Sequence, residues 1–382
     1  MRFYTTQHPF YCGIDLHART MYVCILDQAG ETLLHRNMTA TPEALLKAIA
    51  PSRDQVVLGA EWMFPWYWLA DLCADHGIPF VLGHALSMKA IHGGKAKNEK
   101  IDAHTIAVLL RGGMLPQASV YPAEMRATRD LLRRRMPLAR TRGALLAHVH
   151  NTNSQYTLPA IGTKIASKAN RDGVAERCAD PAVHKSIEVD LALITYYDEL
   201  LRDVDLSIVK TAKHHDANTL YRLQTVPGIG KILSLVLLYD MHDVERFPRV
   251  QDFASSCRLV KCARESAGKR SGTSGAKIGH AHLKWAFSEA AVLCLRAHPA
   301  AQKLLARLEQ KHGKGKALTI LAHQLARAVY DMVKRQTAFD LHQFLHAEGR
   351  GVGALKVSLD SHGMHLIRNA RHAVKNCVFE RS

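Results

Sequence analysis

Four acidic residues occupy positions where a carboxylate needs a reason. In "KNEKIDAHTIAVLL" (residues 97–110), Glu99 and Asp102 precede Ile106 and Leu109 at helical spacing, so two acids extend an apolar stripe. Asp15 is the one acid in "YCGIDL" (11–16), a run that otherwise reads as a buried central strand. Leaving a polar group unpartnered there costs roughly 2–7 kcal/mol, so a basic side chain or a metal ion should neutralise it. Glu61 closes the strand-like run "QVVLGAE" (55–61). Carboxylates that converge bind hard divalent cations, and two ions about 4 Å apart can clamp the attacking and leaving oxygens of a phosphodiester. Taken singly, Glu99 or Asp102 suits a helix N-terminus and Glu61 a cap, so the constellation carries the case.

A second locus is "ARESAGKRSGTSGAKIGHAHLKWAF" (263–287), where Ser266 stands among Arg264, Lys269 and Arg270 in a Gly/Ser/Lys-rich segment that reads as a loop. Small residues let backbone N–H groups approach a phosphate, and the cations offset charge on a pentacoordinate transition state. A serine hydroxyl there can attack DNA and form a phosphoserine link. The composition alone equally fits a basic linker, with Ser271, Thr273 or Ser274 as competing nucleophiles. Further upstream, "TVPGIGKIL" (225–233) reads as a helix-hairpin-helix-like turn. In it Gly228 and Gly230 allow a tight bend and Lys231 stands at the next helix's N-terminus, a backbone-phosphate grip that reads no bases. An ordinary helix–helix connection is the plainer reading. The aromatic run "WMFPWYW" (62–68) offers either base stacking or core packing.

These residues must be positioned by a fold, and the first 110 residues alternate strand and helix signals. Three strand-like runs (11–16, 21–27 and 31–38) joined by short turns predict sequential antiparallel strands. "TPEALLKAIA" predicts a helix with Thr41 as N-cap and Pro42 in the first position. A strand at 55–61, an aromatic-rich helix near 64–77, a strand at 79–85 and the Glu99/Asp102 helix follow, giving βββαβαβα, the order of a ribonuclease-H-like domain.

From Pro122 the chain turns helical and arginine-rich, with Arg126, Arg129, Arg133, Arg134, Arg135, Arg140 and Arg142 and an expected kink at Pro137. A long helix at about 183–213 places Ile187, Leu191, Ile194, Tyr197, Leu201, Val204 and Ile208 at alternating three- and four-residue steps, which is coiled-coil spacing. We expect an antiparallel helical arm that packs on itself or pairs protomers, with a plain bundle helix as the simpler alternative. The expected division is 1–115, an α/β metal domain; 116–215, the arm; 216–335, a mainly α domain with the serine; and 336–382, a tail. "GRGVGA" (349–354) lacks the strand and helix of a nucleotide fingerprint.

Charge narrows the partners. The 382 residues hold 51 Lys/Arg against 34 Asp/Glu, a net of +17. Residues 1–110 carry 9 and 10, so the net positive charge lies in the remainder, which is built to meet a polyanion. No apolar run approaches the ~18 residues a membrane span needs, and no signal-peptide core opens the chain, so a cytoplasmic protein without membrane contact is expected. The cysteines then read as reduced thiols, and Cys257 and Cys262, four residues apart in between, make a poor zinc pair.

"GIDLHA" (13–18), "GAE" (59–61), "KAKNEKIDAHTIAVLLRGGMLP" (95–116) and "RLVKCARESAGKRSGTSGAKIG" (258–279) together resemble the DEDD-type transposases of bridge-RNA insertion sequences, the insertion-sequence one-ten family, which includes pilin-gene DNA invertases. The resemblance spans nearly the whole chain. It implies a RuvC-like domain, a coiled coil and a C-terminal transposase domain. It also implies that Asp15, Glu61, Glu99 and Asp102 hold Mg2+, expected as two ions, and that Ser266 is the nucleophile. The third acid is Asp in the family's tetrad and Glu99 here, which keeps charge and reaches one methylene further. Also implied are donor and target DNA, a structured guide RNA, and dimers or tetramers in which the metal domain of one protomer meets the serine domain of another. Arg133, Arg134, Arg135, Gly228, Gly230, Lys231, Arg264, Lys269 and Arg270 are the expected nucleic-acid contacts. The alternatives are a metal-only junction resolvase or nuclease, in which Ser266 is irrelevant, and a non-catalytic nucleic-acid-binding protein.

Overall fold

The computed structural model describes residues 2–92, 98–260, 262–266, 268–274 and 278–346. The chain divides into two compact units, Met1–Arg126 and the residues from Ala127 onward. "GRGVGA", Ala267 and most of the expected tail lie outside the described residues.

In the first unit, β1 (Phe10–Leu16), β2 (Thr20–Asp27) and β3 (Thr32–Thr39) precede α1 (Pro42–Ile49), β4 (Val56–Glu61), α2 (Trp66–Asp75), β5 (Phe80–Gly83), α3 (Ala85–His92) and α4 (Glu99–Arg111). The sheet order is β3-β2-β1-β4-β5, with β1–β2 and β2–β3 antiparallel and β1–β4 and β4–β5 parallel. Asp15 is therefore on the central strand. Thr41 caps α1 by accepting from the Ala44 N–H at 3.3 Å, with Pro42 in the first turn, as its sequence predicts.

Alternation along the strands splits the core into two layers. Cys12, Ile14 and Leu16 pack with Leu45 and Ile49 of α1 and Leu69 and Cys73 of α2. Tyr11, Val57 and Val81 pack on the other face with Ile106, Leu109 and Leu110 of α4. The contact between α4 and β1 needs a glycine: a Cβ on Gly13 would come within 2.1 Å of the Ala103 carbonyl oxygen and 2.5 Å of the Ala107 nitrogen. Helix α3 is absent from the expected order. The predicted strand ends early because Gly83 lies under α3, where a Cβ would sit 2.5 Å from Met88 Sδ, and His84 Nδ1 and Ser87 Oγ share a hydrogen bond of 2.8 Å.

The second unit is mostly helical. Helices α5 (Ala123–Gln155) and α6 (Pro181–Gln224) run antiparallel along each other, as their ion pairs show: Arg135 with Asp205 at 2.5 Å, Arg142 with Asp198, and His148 with Asp190 at 2.5 Å. Ile187, Ile194, Leu201 and Ile208 are buried, whereas Leu191, Tyr197 and Val204 are half-buried. The arm thus packs on itself within one chain. Helix α5 runs on through Pro137, where the sequence predicts a kink. The helical path of α6 breaks at Asp216 (φ −161°, ψ 85°), whose carboxylate accepts from the Thr219 N–H at 2.9 Å and caps the turns that follow.

Helices α7 (Lys231–Met241), α8 (Val250–Ser256), α9 (Ala281–Ala297), α10 (Pro299–His312) and α11 (Lys314–Arg335) follow, and Phe253 of α8 ties α8 to α9 and α11, its ring 5.3 Å from Phe247, 6.0 Å from Phe287 and 5.7 Å from Tyr330. Short α12 (Leu341–His346) follows. The serine segment, expected to be a loop, is a two-stranded antiparallel hairpin, β6 (Cys262–Ser266) and β7 (Lys269–Ser274). Gly268, at φ +71°, accounts for the difference by allowing the chain to reverse between Ser266 and Lys269. Among the described residues no helix is long and apolar enough to cross a membrane.

Candidate functional site

The four acids are carried on elements that lead to one end of the first unit's sheet. Ile14 and Ala60 are partners in the parallel β1–β4 register, so Asp15 and Glu61 are the next residues on both strands. Gly13 and Gly59 both face α4, and alternation turns Asp15 and Glu61 to that side as well. Helix α4 starts at Glu99 because Asn98 caps it, accepting from the Ile101 N–H at 2.8 Å. From Gly13 the strand advances roughly 6.5 Å to Asp15. From Ala103 the helix retreats roughly 6 Å to Glu99. Both segments therefore arrive at the same place.

The electrostatics agree with that placement. Burial pushes the Asp15 carboxyl above its ordinary range, His17 opposes the shift, and the neighbouring charges of Asp102 and Glu99 add to it. His17 Nε2 lies 3.4 Å from Asp15 Oδ2 and 3.5 Å from Glu99 Oε1. It is shielded from solvent yet aligned for a hydrogen bond to neither. Asp15 is the buried member; Glu99 and Asp102 are partly exposed in the first turn of α4, so their pairing needs less compensation than the stripe suggests. Sequence reasoning missed His17, although its place two residues after Asp15 in "DLH" puts it on the same face of an extended chain. Among the described residues, no three His, Cys, Asp or Glu side chains stand close enough to ligate one ion as placed.

The serine locus lies in the second unit. Ser266 is exposed at the end of β6, opposite Lys269, which is also exposed; Glu265 pairs with Arg270 in the same ladder. The side chains of Arg264 and Arg270 lie outside the described residues. The expected nucleic-acid contacts divide. Arg133 spends its guanidinium on Asp240 at 3.1 Å and Arg135 spends its own on Asp205, so these two serve the fold; Arg134 is exposed. The missing Cβ of Gly228 (φ +83°) faces α9, within 2.2 Å of the Ala290 carbonyl oxygen, so that glycine permits helix packing. Gly230 has open space around it, and exposed Lys231 lines a cleft of about 250 Å³ with Arg135, Arg202, Asp198 and Asp205. The aromatic run splits: Trp66 is buried, while Trp62 and Phe64 are exposed beside Glu61. Cys257 is fully buried, which raises its thiol pKa and makes it a packing residue.

Behind the arm's arginines is a buried ionic knot. Asp240 of α7 accepts from Arg129 and Arg133, each at 3.1 Å, and its backbone carbonyl accepts from Arg246 at 3.0 Å. Burial pushes Asp240 up, but Arg133 and Arg129 more than reverse this and hold it below the usual carboxylate range. His280, at the start of α9, is pushed down to about 4, chiefly by burial, against the opposing pull of Asp240.

Known proteins match both loci. Residues 12–157 match a DEDD-type IS110 transposase model, described as a transposase, and residues 220–306 match the model described as "Transposase IS116/IS110/IS902 family". The chain is an IS116/IS110/IS902-family transposase with a DEDD domain. It is also similar along most of its length to the transposase for insertion sequence element IS1111A of Coxiella burnetii (strain RSA 493 / Nine Mile phase I), with 23% identity over 339 residues, 86% of this chain and 90% of that protein. The transposase is accordingly a DNA-cutting and joining enzyme, which sets aside the non-catalytic reading. Its DEDD domain implies use of a divalent metal.

Proposed function

We propose that this transposase is a site-specific recombinase that cuts and rejoins DNA through a phosphoserine at Ser266, with divalent metal, expected as Mg2+, held by Asp15, Glu61, Glu99 and Asp102. The observation that carries the metal site is His17 Nε2, buried without a hydrogen bond 3.4 Å from Asp15 Oδ2 and 3.5 Å from Glu99 Oε1. Oxygen donors and one orphaned buried nitrogen suit such an ion in type, and the side chains must draw together to hold it. When bound, the ion supplies Lewis acidity to a phosphodiester oxygen.

The residues' own roles follow. Asp15, buried on the central strand, fixes the site's floor, and Glu99 and Asp102 are carried by the capped end of α4. Exposed Ser266 supplies the nucleophile: its Oγ bonds to phosphorus as the bond to the deoxyribose oxygen breaks, the serine proton leaves to solvent, and the leaving oxygen takes one up. The reverse step, with a different DNA hydroxyl, rejoins the strand without an energy source. Lys269, across the hairpin from Ser266, offsets phosphate charge. The same reading includes a ribonuclease-H-like (RuvC-like) first unit, a helix-hairpin-helix phosphate grip at Gly228–Lys231, a structured guide RNA, kinship with pilin-gene invertases, assembly as dimers or tetramers, and action in the cytoplasm.

The test is a denaturing gel of the full chain with labelled donor and target DNA and any co-purifying RNA. A DNA band covalently linked to protein, lost in Ser266→Ala, is expected. Normal cleavage by Ser266→Ala would reject the serine mechanism and leave a metal-only nuclease or resolvase.

A further inference from the structure

His17 does something the four carboxylates do not explain. Its Nε2 is nearly equidistant from Asp15 Oδ2 and Glu99 Oε1, at 3.4 and 3.5 Å, is shielded from solvent, and makes no hydrogen bond. An imidazole serving as a simple salt-bridge partner would turn to donate to one oxygen at about 2.8 Å. The observed separations instead resemble those between neighbouring ligands of one ion, because metal–ligand lengths of about 2.1–2.2 Å place right-angle neighbours about 3 Å apart. As placed, no three such side chains among the described residues stand close enough to ligate one ion, so the two carboxylates must draw in around His17 Nε2 for the ion to be held. The backbone provides for this: His17 follows Asp15 by two residues at the end of β1, and its N–H is fixed by a bond of 2.9 Å to the Thr20 carbonyl.

Resting on the metal reading above, we infer that His17 is a nitrogen ligand of the ion held by Asp15 and Glu99. The centre is then a mixed nitrogen–oxygen site. Mg2+ favours oxygen donors in a strict octahedron, whereas an imidazole ligand suits first-row transition ions, so His17 shifts the site's preference toward an ion such as Mn2+.

The experiment loads the chelator-stripped full chain with Mn2+ and reads the bound ion by pulsed electron paramagnetic resonance, which detects a directly coordinated imidazole nitrogen. The wild-type chain should show nitrogen coupling. His17→Gln, with unchanged circular dichroism, should still bind Mn2+ but about tenfold more weakly, without the coupling, and with easier displacement by Mg2+. Absence of coupling in the wild type, or its persistence in His17→Gln, overturns the assignment. The underlying site fails separately: if Asp15→Asn and Asp102→Asn bind Mn2+ as the wild type does, or if the wild type binds none, the carboxylates are not a metal centre.

Discussion

His280 should make the helical unit unusually sensitive to mild acid. Its imidazole is pushed down to about 4 from an ordinary 6.5, chiefly by burial, with Arg246, Arg129 and Arg133 adding to the shift and Asp240 opposing it. A histidine with a depressed folded-state pKa stabilises the fold above its unfolded pKa, and that contribution is lost as pH falls from 6.5 toward 4, where the unfolded chain binds the proton first. The full loss is on the order of 3 kcal/mol, most of it spent by pH 4.5. His280 is also the N-cap of α9, so His280→Asn is the suitable variant, since asparagine caps well and does not titrate. The opening free energy of α7 and α9 peptides, from hydrogen exchange corrected for intrinsic rates, should fall in the wild type by roughly 2–3 kcal/mol more than in the variant between pH 7.5 and 4.5. Parallel pH dependence in the two proteins would refute the reasoning.

Asp15→Asn and Asp102→Asn should each abolish DNA cleavage with folding intact. Because the Asp15 carboxyl is raised, its ionisation costs stability above the ordinary carboxylate range, so the metal-free Asp15→Asn protein should melt higher at neutral pH and lose that advantage in strong acid. Cleavage retained by both variants removes the acids from the mechanism. Gly13→Ala should cost about 1–3 kcal/mol or more, since its methyl meets the backbone of α4, and should weaken Mn2+ binding by lifting Glu99 and Asp102 away from Asp15; Gly162→Ala, with open space around it, is the matched near-neutral control in thermal melts. Asp240→Ala should destabilise by about 3–5 kcal/mol in urea titrations because it strands buried guanidinium groups. Arg134→Ala should leave stability alone and reduce the salt slope of DNA binding by about 1 unit, whereas Arg133→Ala and Arg135→Ala should act mainly on stability.

The sheet unit was legible because its signals are local. The strand-like runs at 11–16, 21–27 and 55–61 and the Thr41-Pro42 start each act within a few residues, and the structure places strands and a helix there within one or two residues. The convergence of Asp15, Glu61 and the α4 acids followed from that order. The β6–β7 hairpin was less visible, because "RESAGKRSGTS" has no alternating hydrophobicity and its strands rest on backbone pairing around one glycine. Helix α3 was hidden by the apolar continuity of "PFVLGHAL", in which the only stop is a glycine needed for close packing.

Charge was the least legible property, for a physical reason. Composition counts every guanidinium alike, but a polyanion meets only those the fold leaves unspent. In α5, the arginines at 129, 133, 135 and 142 all turn to Asp240, Asp205 or Asp198, acids more than 55 residues away in sequence, and only contact across the helices reveals the pairing. The repeat that marks the apolar seam of α6 says nothing about the acids flanking it. Asp190, Asp198 and Asp205 recur at steps of eight and seven residues, which puts them along one side of the helix, and each meets a basic partner from α5. The arm's positive charge is therefore partly an internal adhesive. The nucleic-acid footprint of this unit should be sought at exposed Arg134, Lys231 and Lys269, where the fold has left cations facing solvent.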